Sequence, residues 1–425
     1  MLLCNVIFVT CGMCLQAFAQ AVVNDPWYRE DTWGSKVGYS QYISEVTGRT
    51  PVRAVYVVVI DTGCKPDADI ADGENVLDLI GGSITNDHGT QVASLVAAIT
   101  NNGRGIATFG GPVKVKCIRA ADDDGTITPA NSTKAMQGAI DLKQKQGLPV
   151  VATVSSYSWN GTVTQAQSQI VNALLAADIQ PFAATALRAS GEPCDVIPAC
   201  VPGVIRVSPL LADSTPLAGM EWGSIFAPGQ NVPALFGDPD DRAVNVSGPS
   251  IATPAAAGVY AALIAWHGMS SSEARERLKF GSTLVSGTST RAINAGLANT
   301  WKLLLVGAEN SSDIAALDAV NHTAGPFTLT STYFGIPTTT RVMLFAYNGL
   351  QPGEPASAII ASARFIQNGL TQTVPLQIEY AGVLPDQPFL TQINVLVDAQ
   401  LSGKIGTITL TAHGQTSNEL PLTIK

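Results

Sequence analysis

The sequence predicts an α/β domain built on a parallel β-sheet, followed by an antiparallel β-sandwich. Short β-branched runs without polar alternation predict the parallel sheet, because such a sheet is covered on both faces. Stretches of helical spacing lie between these runs and predict the covering helices. Near residues 300–325 the helix patterns nearly vanish, and short strand-like segments separated by turn residues predict the sandwich.

Length and composition are those of a folded protein with two units. The chain has 425 residues, of which 13% are charged and 46% hydrophobic. This is too long for one ordinary domain, and too apolar for a disordered chain. The net charge of −9, without a Lys/Arg stripe, excludes nucleic acid and anionic membrane surfaces as favoured partners.

The first nineteen residues form one apolar stretch that ends in Ala17-Phe18-Ala19, a small-x-small pattern. This pattern predicts a signal peptide over 1–19 and a secreted protein, extracellular or periplasmic. The stretch has no basic start, so a misplaced start codon or an N-terminal membrane anchor stays open. No later segment is long and apolar enough for a membrane span, and we expect none after signal removal. The expected domains are 20–305 and 306–425.

Four apolar runs are the predicted central strands of the first domain, and two amphipathic stretches between them are predicted helices. The strands are Val55–Ile60, Val113–Ile118, Val150–Ser155 and Ile179–Ala184, and the helices are Ser132–Lys145 and Gln165–Ala177. In a parallel sheet of this kind the functional site lies at the carboxyl ends of the strands. In the second domain the predicted strands include Phe327–Ser331, Arg341–Ala346, Gln392–Val397 and Thr407–Ala412.

Seven cysteines divide into Cys4, Cys11 and Cys14 in the predicted signal and Cys64, Cys117, Cys194 and Cys200 after it. The even mature count predicts disulfides, and the close spacing in a proline-bearing loop favours a Cys194–Cys200 pair. Cys64 and Cys117 form the second pair in one interpretation. In the other, Cys117 is a buried free thiol within a strand.

Asp61 and His88 are two candidate catalytic residues. Asp61 follows the first apolar strand and opens Asp61-Thr62-Gly63, although by itself this pattern is mostly a structural turn. His88 precedes an apolar helix-like run, which places its imidazole at a helix N-terminus beside small residues. The other three histidines lie in loop-like contexts, so His88 is the predicted general base.

Ser250 is the candidate nucleophile. It lies in Ser247-Gly248-Pro249-Ser250-Ile251-Ala252-Thr253-Pro254, before a run through Ala265 that is apolar on every face and predicts a buried helix. A serine in the first turn presents its hydroxyl where free backbone N–H groups favour a developing oxyanion. The alternative interpretation is an N-cap serine.

In combination, Asp-Thr-Gly, His-Gly-Thr and Gly-x-Ser-x-Ala-Thr-Pro, in this order, resemble the subtilase family of serine proteases. The resemblance extends from Asn24-Asp25-Pro26 through Val201–Val207 and Phe226–Gly229 to about residue 300. It implies a subtilisin-like three-layer α/β domain. The segments from Tyr380 to Asn418 are similar to an Ig-like domain appended to exported bacterial proteins.

The resemblance implies a serine endopeptidase that acts on protein or peptide substrates as a monomer, without a cofactor for catalysis. Ser250 would attack the scissile carbonyl, His88 would move the proton and Asp61 would hold the imidazole. The substrate-binding walls would be Ser155, Ser156 and Tyr157 on one side and Ala183, Ala184 and Thr185 on the other. Tyr157 replaces the usual glycine, so we expect a narrowed pocket.

Two departures from the family concern the oxyanion hole. Leu187 occupies the position of the usual asparagine, and Pro249 replaces the threonine before the nucleophile. Loss of one such donor costs roughly 10²- to 10³-fold in rate. The backbone N–H of Ser250 remains, and the side chains of Thr185 and Arg188 are candidate substitutes.

The run Thr100–Ile106 resembles a subtilase calcium loop. The resemblance implies a structural calcium ion with two carboxylates, one amide oxygen and three carbonyls, from Asp25, Asp69, Asn102, Ile99, Arg104 and Ile106. A simple Asn-Gly turn is the alternative. The acidic run Asp122–Asp124 is interpreted as a solvated turn, with a second cation site as the weaker reading.

Three readings of the whole chain stay open. The triad favours a slow secreted protease, Leu187 favours a catalytically impaired binding protein on the same fold, and an adhesive sandwich protein with a vestigial catalytic domain is the third. Most subtilases carry a pro-domain before the mature start, whereas here the predicted signal is followed almost at once by Asn24. We expect a domain that folds unaided or a truncated gene.

Overall fold

The computed structural model describes residues 23–187, 194–220, 222–237, 241–280, 283–284, 291–293, 304–307, 314–347, 349–350, 354–367, 369–384, 387–412 and 415–425. The predicted signal peptide and Arg188 therefore lie outside the described residues. Seven α-helices are described: α1 Ser35–Val37, α2 Tyr39–Val46, α3 His88–Ala97, α4 Pro129–Gln144, α5 Gln165–Ala176, α6 Pro249–His267 and α7 Ser271–Phe280. A π-helical turn spans Glu30–Gly34, and 3₁₀ turns span Ala356–Ala358 and Ala399–Leu401.

The strands of the first unit are β1 Val55–Asp61, β2 Glu74–Asp78, β3 Val113–Arg119, β4 Val150–Ser155, β5 Trp159–Asn160, β6 Gln180–Ala184, β7 Val196–Ile197, β8 Ile205–Leu210, β9 Ile225–Pro228, β10 Val232–Leu235, β11 Ala243–Val246, β12 Thr283–Leu284 and β13 Arg291–Ala292. Nine of them form one sheet in the order β12-β13-β9-β8-β6-β4-β1-β3-β2. The seven strands from β9 to β2 run parallel, and only β12 is antiparallel to its neighbour.

Helices cover both faces of this sheet, as the fold class predicted. β1 and β4 have almost every residue buried, because each face of the sheet carries a hydrophobic layer. One layer contains α3 and the mostly apolar α6, and the other contains α4 and α5. Both α4 and α5 begin at a threonine whose side chain accepts a backbone N–H, which satisfies an otherwise free donor.

Helix α6 is, within the described ranges, the one helix whose length and composition would suit a membrane crossing. Of its most apolar window, 83% is buried inside the protein, which is typical of a core helix.

The second unit contains two five-stranded antiparallel sheets that enclose a separate hydrophobic core, and a two-stranded sheet of β16 (Thr330–Tyr333) and β17 (Ile336–Thr339). Its strands are β14 Leu304–Leu305, β15 Ala316–Asp318, β16 Thr330–Tyr333, β17 Ile336–Thr339, β18 Arg341–Tyr347, β19 Ile359–Gln367, β20 Leu370–Leu376, β21 Ile378–Leu384, β22 Gln387–Leu396, β23 Lys404–Ala412, β24 Gln415–Thr416 and β25 Leu420–Ile424. Burial alternates along β19 and β23, as in a sandwich with one face in solvent.

Two details of the second unit differ from the sequence prediction. Residues 327–329 precede β16, and Phe327 instead forms an isolated bridge to Ile424. Residues 304–305 already pair with β18, so this unit starts slightly before the expected boundary at 306.

Candidate active site

Asp61 and His88 form a hydrogen-bonded pair at the carboxyl end of the sheet. Asp61 is the last residue of β1, and its Oδ1 lies 2.8 Å from Nδ1 of His88 at the start of α3. The side chain of Asp61 is 3% exposed, whereas that of His88 is 33% exposed. A buried carboxylate therefore faces one ring nitrogen, and the other side of the imidazole lies towards the cleft.

Close backbone packing explains the glycine in each of the two motifs. A Cβ on Gly89 would lie 2.1 Å from the carbonyl oxygen of Gly63, so only glycine fits where α3 meets the turn after β1. Gly63 itself has a φ of 90°, a conformation that side chains rarely adopt. The Gly89 N–H donates to Thr62 Oγ1 at 3.0 Å, which fixes the helix start against the strand end.

The contact with Asp61 changes the pKa of the His88 imidazole. The negative charge of Asp61 raises the pKa of His88 above its ordinary value, and burial opposes this shift without reversing it. Asp61 Oδ1 also accepts the Thr62 N–H at 2.8 Å, which restrains the carboxylate. A carboxylate can only accept at Nδ1, so Nδ1 carries the proton and Nε2 is left as the acceptor.

Ser250 lies in the first turn of α6 and is hydrogen-bonded to Ser156. Its hydroxyl donates to the Ser156 carbonyl at 2.9 Å, and the Ser156 hydroxyl donates to the Ser250 carbonyl at 2.9 Å. The second bond forms because Pro254, one turn later, has no N–H for the Ser250 carbonyl. No hydrogen bond joins Ser250 to His88 among the described residues, and the hydroxyl of this candidate nucleophile bonds to Ser156 instead.

The described residues supply few side-chain donors for an oxyanion hole. Leu187 is 70% exposed and has no polar group. The Thr185 hydroxyl points into the protein, where it donates to the Val207 carbonyl at 3.1 Å and contacts Ser208 Oγ at 3.2 Å. Thr185 is therefore not the substitute donor considered from the sequence. The backbone N–H of Ser250 remains at the helix N-terminus.

A cleft of about 520 Å³ lies beside the pair. Its lining residues are Asp61, Asn86, Asp87, His88, Gln91, Ala121, Asp124, Gly125, Ser156, Tyr157 and Ser158. Of the six predicted wall residues, Ser156 and Tyr157 line this cleft. Ser155, Ala183, Ala184 and Thr185 are buried at the adjoining ends of β4 and β6.

Tyr157 is mostly buried, with its ring packed in the hydrophobic layer of α4 and stacked on Trp159. Its hydroxyl bonds to Ser132 Oγ at 2.9 Å and to Ser155 Oγ at 3.2 Å. Burial raises the pKa of Tyr157 to about 12, so the phenol stays neutral. Tyr157 thus lines the cleft, while its hydroxyl bonds to two buried serines.

The residues of the predicted calcium loop lie together. Asp25 accepts the backbone N–H groups of Asn101 and Asn102 at 2.8 and 3.1 Å, and Asp69 accepts from Asn102 Nδ2 at 2.6 Å. Both carboxylates are buried, and burial raises their pKa values, that of Asp69 to about 7. Carboxylates are a ligand type that calcium accepts, but here both accept N–H groups, and Asn102 presents its nitrogen to Asp69 while its oxygen accepts the Arg104 N–H. The calcium site stays a prediction.

Two disulfides are present among the described residues. Cys194 is joined to Cys200, as the sequence favoured, with Cα atoms 5.6 Å apart. Cys64 is joined to Cys117, with Cα atoms 6.0 Å apart, so Cys117 is not a free thiol. The second bridge links the turn after β1 to β3.

Sequence reasoning missed Arg119, a buried residue behind the cleft. Its side chain is 2% exposed and bonds to two segments that line the cleft. The signal was an arginine at the end of an otherwise apolar strand run, where a charged side chain requires partners.

Comparisons with known proteins identify the family of the first unit. The model of the subtilase family of peptidases matches residues 53–295, more than half of the chain. A thermophilic serine proteinase of Bacillus sp. (strain AK1) is 28% identical over 287 residues, which are 63% of this chain and 65% of that protein. Thermitase of Thermoactinomyces vulgaris is 27% identical over 277 residues, 63% of this chain and 94% of that protein.

A solved structure has the same fold as the first unit. It is described as proteases from Pseudoalteromonas arctica PAMC 21717, and it covers 65% of this chain and 98% of its own, with a TM-score of 0.53 and 20% identity. The matched family region contains Asp61, His88 and Ser250. The chain belongs to the subtilase family of serine peptidases.

Proposed function

We propose that the protein is a secreted serine endopeptidase that hydrolyses protein or peptide substrates with Ser250, His88 and Asp61. The observation that carries the proposal is the 2.8 Å hydrogen bond between His88 Nδ1 and the buried Asp61. Secretion is supported by the apolar segment 1–19 and by two disulfides, which persist in oxidising compartments.

In the proposed reaction, the Ser250 hydroxyl first turns from the Ser156 carbonyl towards His88. Oγ attacks the substrate carbonyl carbon while Nε2 of His88 takes the hydroxyl proton, and Asp61 stabilises the imidazolium. The C–N bond then breaks, His88 gives the proton to the leaving amine, and an ester to Ser250 remains. Water, activated by the same imidazole, hydrolyses the ester and restores Ser250.

The oxyanion that forms in each step would be bound by the backbone N–H of Ser250 at the N-terminus of α6. This is one donor where a pair is usual, so we infer slow turnover, since each missing donor costs roughly 10²- to 10³-fold. No step requires a cofactor.

A structural calcium ion is part of the proposal. Asp25, Asp69 and Asn102 would supply side-chain oxygens, and Ile99, Arg104 and Ile106 would supply carbonyls. The ion would neutralise the two buried carboxylates and tie the N-terminal segment to the loop after α3.

The impaired-enzyme reading is favoured by two observations of its own. Leu187 provides no donor, and the Ser250 hydroxyl is held by Ser156. A protein of this kind would bind extended peptides in the cleft without turning them over.

The test is labelling of the purified mature chain with a fluorophosphonate probe, together with a casein cleavage assay. Ser250→Ala removes the proposed nucleophile, and Ser158→Ala is the matched control because Ser158 lines the same cleft. We expect labelling and cleavage in the wild type and in Ser158→Ala, and neither in Ser250→Ala. Labelling without cleavage would favour the impaired enzyme. Absence of labelling in calcium-containing and calcium-free buffer would refute the catalytic proposal.

A further inference from the structure

Arg119 occupies a central position behind the active-site cleft. It is the last residue of β3, where the parallel register places it beside Asp61 of β1 and Asp78 of β2. Its side chain is only 2% exposed. Burying a guanidinium costs free energy unless its N–H donors have hydrogen-bond partners. The partners of Arg119 therefore indicate its role.

The guanidinium binds the segment that follows β2. Nη1 donates to the carbonyls of Gly81 and Gly82, each at 2.8 Å, and Nη2 donates to the Ser83 carbonyl at 3.1 Å. Gly81 and Gly82 have φ values of 81° and 78°, which lets consecutive carbonyls converge on one cation. The segment is therefore shaped around Arg119.

The same guanidinium binds the loop after β3. Nη2 donates to Asp123 Oδ1 at 2.9 Å, and Asp123 Oδ1 also accepts the Thr85 N–H at 3.4 Å. The two segments are thus joined to each other as well as to Arg119. Each contributes to the cleft lining, through Asn86 on one side and Asp124 on the other.

A chain of hydrogen bonds leads from this junction to the general base. Asn86 Nδ2 donates to the Asp123 carbonyl at 2.9 Å, and Asn86 Oδ1 accepts the backbone N–H of His88 at 2.8 Å. The position of the first residue of α3 therefore depends on the segment that Arg119 holds.

We propose that Arg119 is a positioning residue that fixes the two cleft walls and, through Asn86, holds His88 against Asp61. The inference rests on the proposed function, because it assigns a role in the same site. Lysine cannot replace it, since a single ammonium lacks the planar fork that reaches four acceptors in different directions. Arg119 touches neither substrate nor the reacting atoms in this role.

The test compares Arg119→Lys and Arg119→Met with Lys116→Met. Lys116 is a matched control because it lies on the same strand, is 7% exposed and pairs with Asp72 and Glu74, which do not line the cleft. A displaced general base costs up to about 10²-fold in rate, so we expect kcat/KM and the Ser250 labelling rate to fall by roughly 10- to 100-fold in both Arg119 variants. Lys116→Met should lose stability with a far smaller change in rate.

The pH profile separates positioning from mere instability. Partial unfolding lowers the amplitude of labelling without moving its midpoint. Loss of the Asp61 contact lowers the pKa of His88, so the midpoint should move to lower pH in the Arg119 variants. If the Arg119 variants do not fold, Asp123→Ala replaces them in this test. It removes one partner of Arg119, so the midpoint should move to lower pH by a smaller amount.

A second readout does not depend on hydrolysis. In a Ser250→Ala background, NMR titration of His88 should give a lower midpoint when Arg119 is replaced and an unchanged one when Lys116 is replaced. Equal midpoints in all variants, or equal rates in the Arg119 and Lys116 variants, would overturn the proposal. Failure of wild-type labelling would refute the proposed function, and the NMR titration would still decide the role of Arg119.

Discussion

The candidate active site has two halves, a base half around His88 and a nucleophile half around Ser250, and they differ in how many of the groups expected for the proposed reaction each contains. In the base half, His88 contacts Asp61, and Thr62 bonds to Asp61 and to Gly89, the residue after His88. Arg119 bonds to the surrounding segments. In the nucleophile half, Ser250 bonds to Ser156, and the position of the usual second oxyanion donor carries the exposed Leu187.

The difference means that the groups for proton transfer are more complete than the groups for transition-state stabilisation. In the proposed reaction, the base half supplies Nε2 of His88 as the acceptor for the proton of a serine hydroxyl. The nucleophile half has one backbone donor for the charge that forms afterwards, and such charge stabilisation is usually the largest contribution to catalysis. A protein of this design should react readily with an electrophilic probe and turn over peptides slowly.

The largest expected effect comes from breaking the base half. Asp61→Asn leaves an amide beside His88 that favours the wrong tautomer, so kcat/KM should fall about 10⁴-fold. Because Asp61 raises the pKa of His88, and only the neutral imidazole accepts a proton, wild-type activity should decline on acidification with a midpoint above the ordinary value near 6.5. The variant's midpoint should be lower. The pH dependence of kcat/KM for a peptide substrate measures both effects.

Asp87→Asn is the matched control for this change. Asp87 also lines the cleft next to His88, but it pairs with Lys65 and not with the imidazole. If both variants lost activity to the same extent, the triad role of Asp61 would be wrong.

A smaller effect, of opposite sign, is expected from completing the nucleophile half. Leu187→Asn places an amide donor at the family's usual position, and the full value of such a donor is roughly 10²- to 10³-fold. An amide introduced where the native residue is leucine is not preorganised for this role, so we expect a gain of about 10-fold in kcat with little change in KM. Steady-state kinetics on a peptide substrate measure this gain.

Leu187→Ala serves as the control, since it removes the same side chain without adding a donor. A similar gain in both variants would show that Leu187 obstructs the cleft, and the missing donor would then not explain slow turnover. No change in either variant would mean that another group already binds the oxyanion.

The elements that sequence could predict are those in which local pattern and tertiary packing agree. β4 spans the predicted residues Val150–Ser155, and α6 is buried along the apolar run that follows Ser250. A strand covered on both faces and a helix apolar on every face each have a pattern that few other environments explain. The Cys194–Cys200 pair likewise depends on a short local motif. The triad rests on local motifs too and stays a prediction.

The details that sequence could not predict depend on contacts between distant segments. The Ser156–Ser250 bonds require the end of β4 to meet the turn of α6 that Pro254 leaves without a donor. The direction of the Thr185 hydroxyl depends on Val207 in the neighbouring strand β8. The Arg119 contacts join three segments whose only sequence signal is one charge at a strand end. No local periodicity encodes such pairings.

The smallest expected effect concerns the loop after α3, the helix that begins at His88 in the base half. If calcium binds Asp25 and Asp69 with [Ca²⁺] near 100 times its Kd, chelation should remove about 2.7 kcal/mol of stability and lower Tm by roughly 5 to 10 °C. Thermal unfolding with EDTA, and again after calcium is restored, measures the effect. Asp69→Asn should abolish the response, whereas Asp141→Asn, in helix α4 on the other face of the sheet, should retain it.

Without calcium, the stability of the protein should depend on pH, because no ion then neutralises the buried Asp69 carboxylate. Burial raises the pKa of Asp69 to about 7, so between pH 4 and pH 7 the folded state keeps a proton that the unfolded state has lost. In EDTA the free energy of unfolding should therefore fall as pH rises through this range, and Asp69→Asn should reduce the fall. A pH-independent stability in EDTA, with no calcium response, would instead indicate that the hydrogen bonds of Asn102 and Ile106 suffice for this carboxylate, and that the loop is an Asn-Gly turn without a metal.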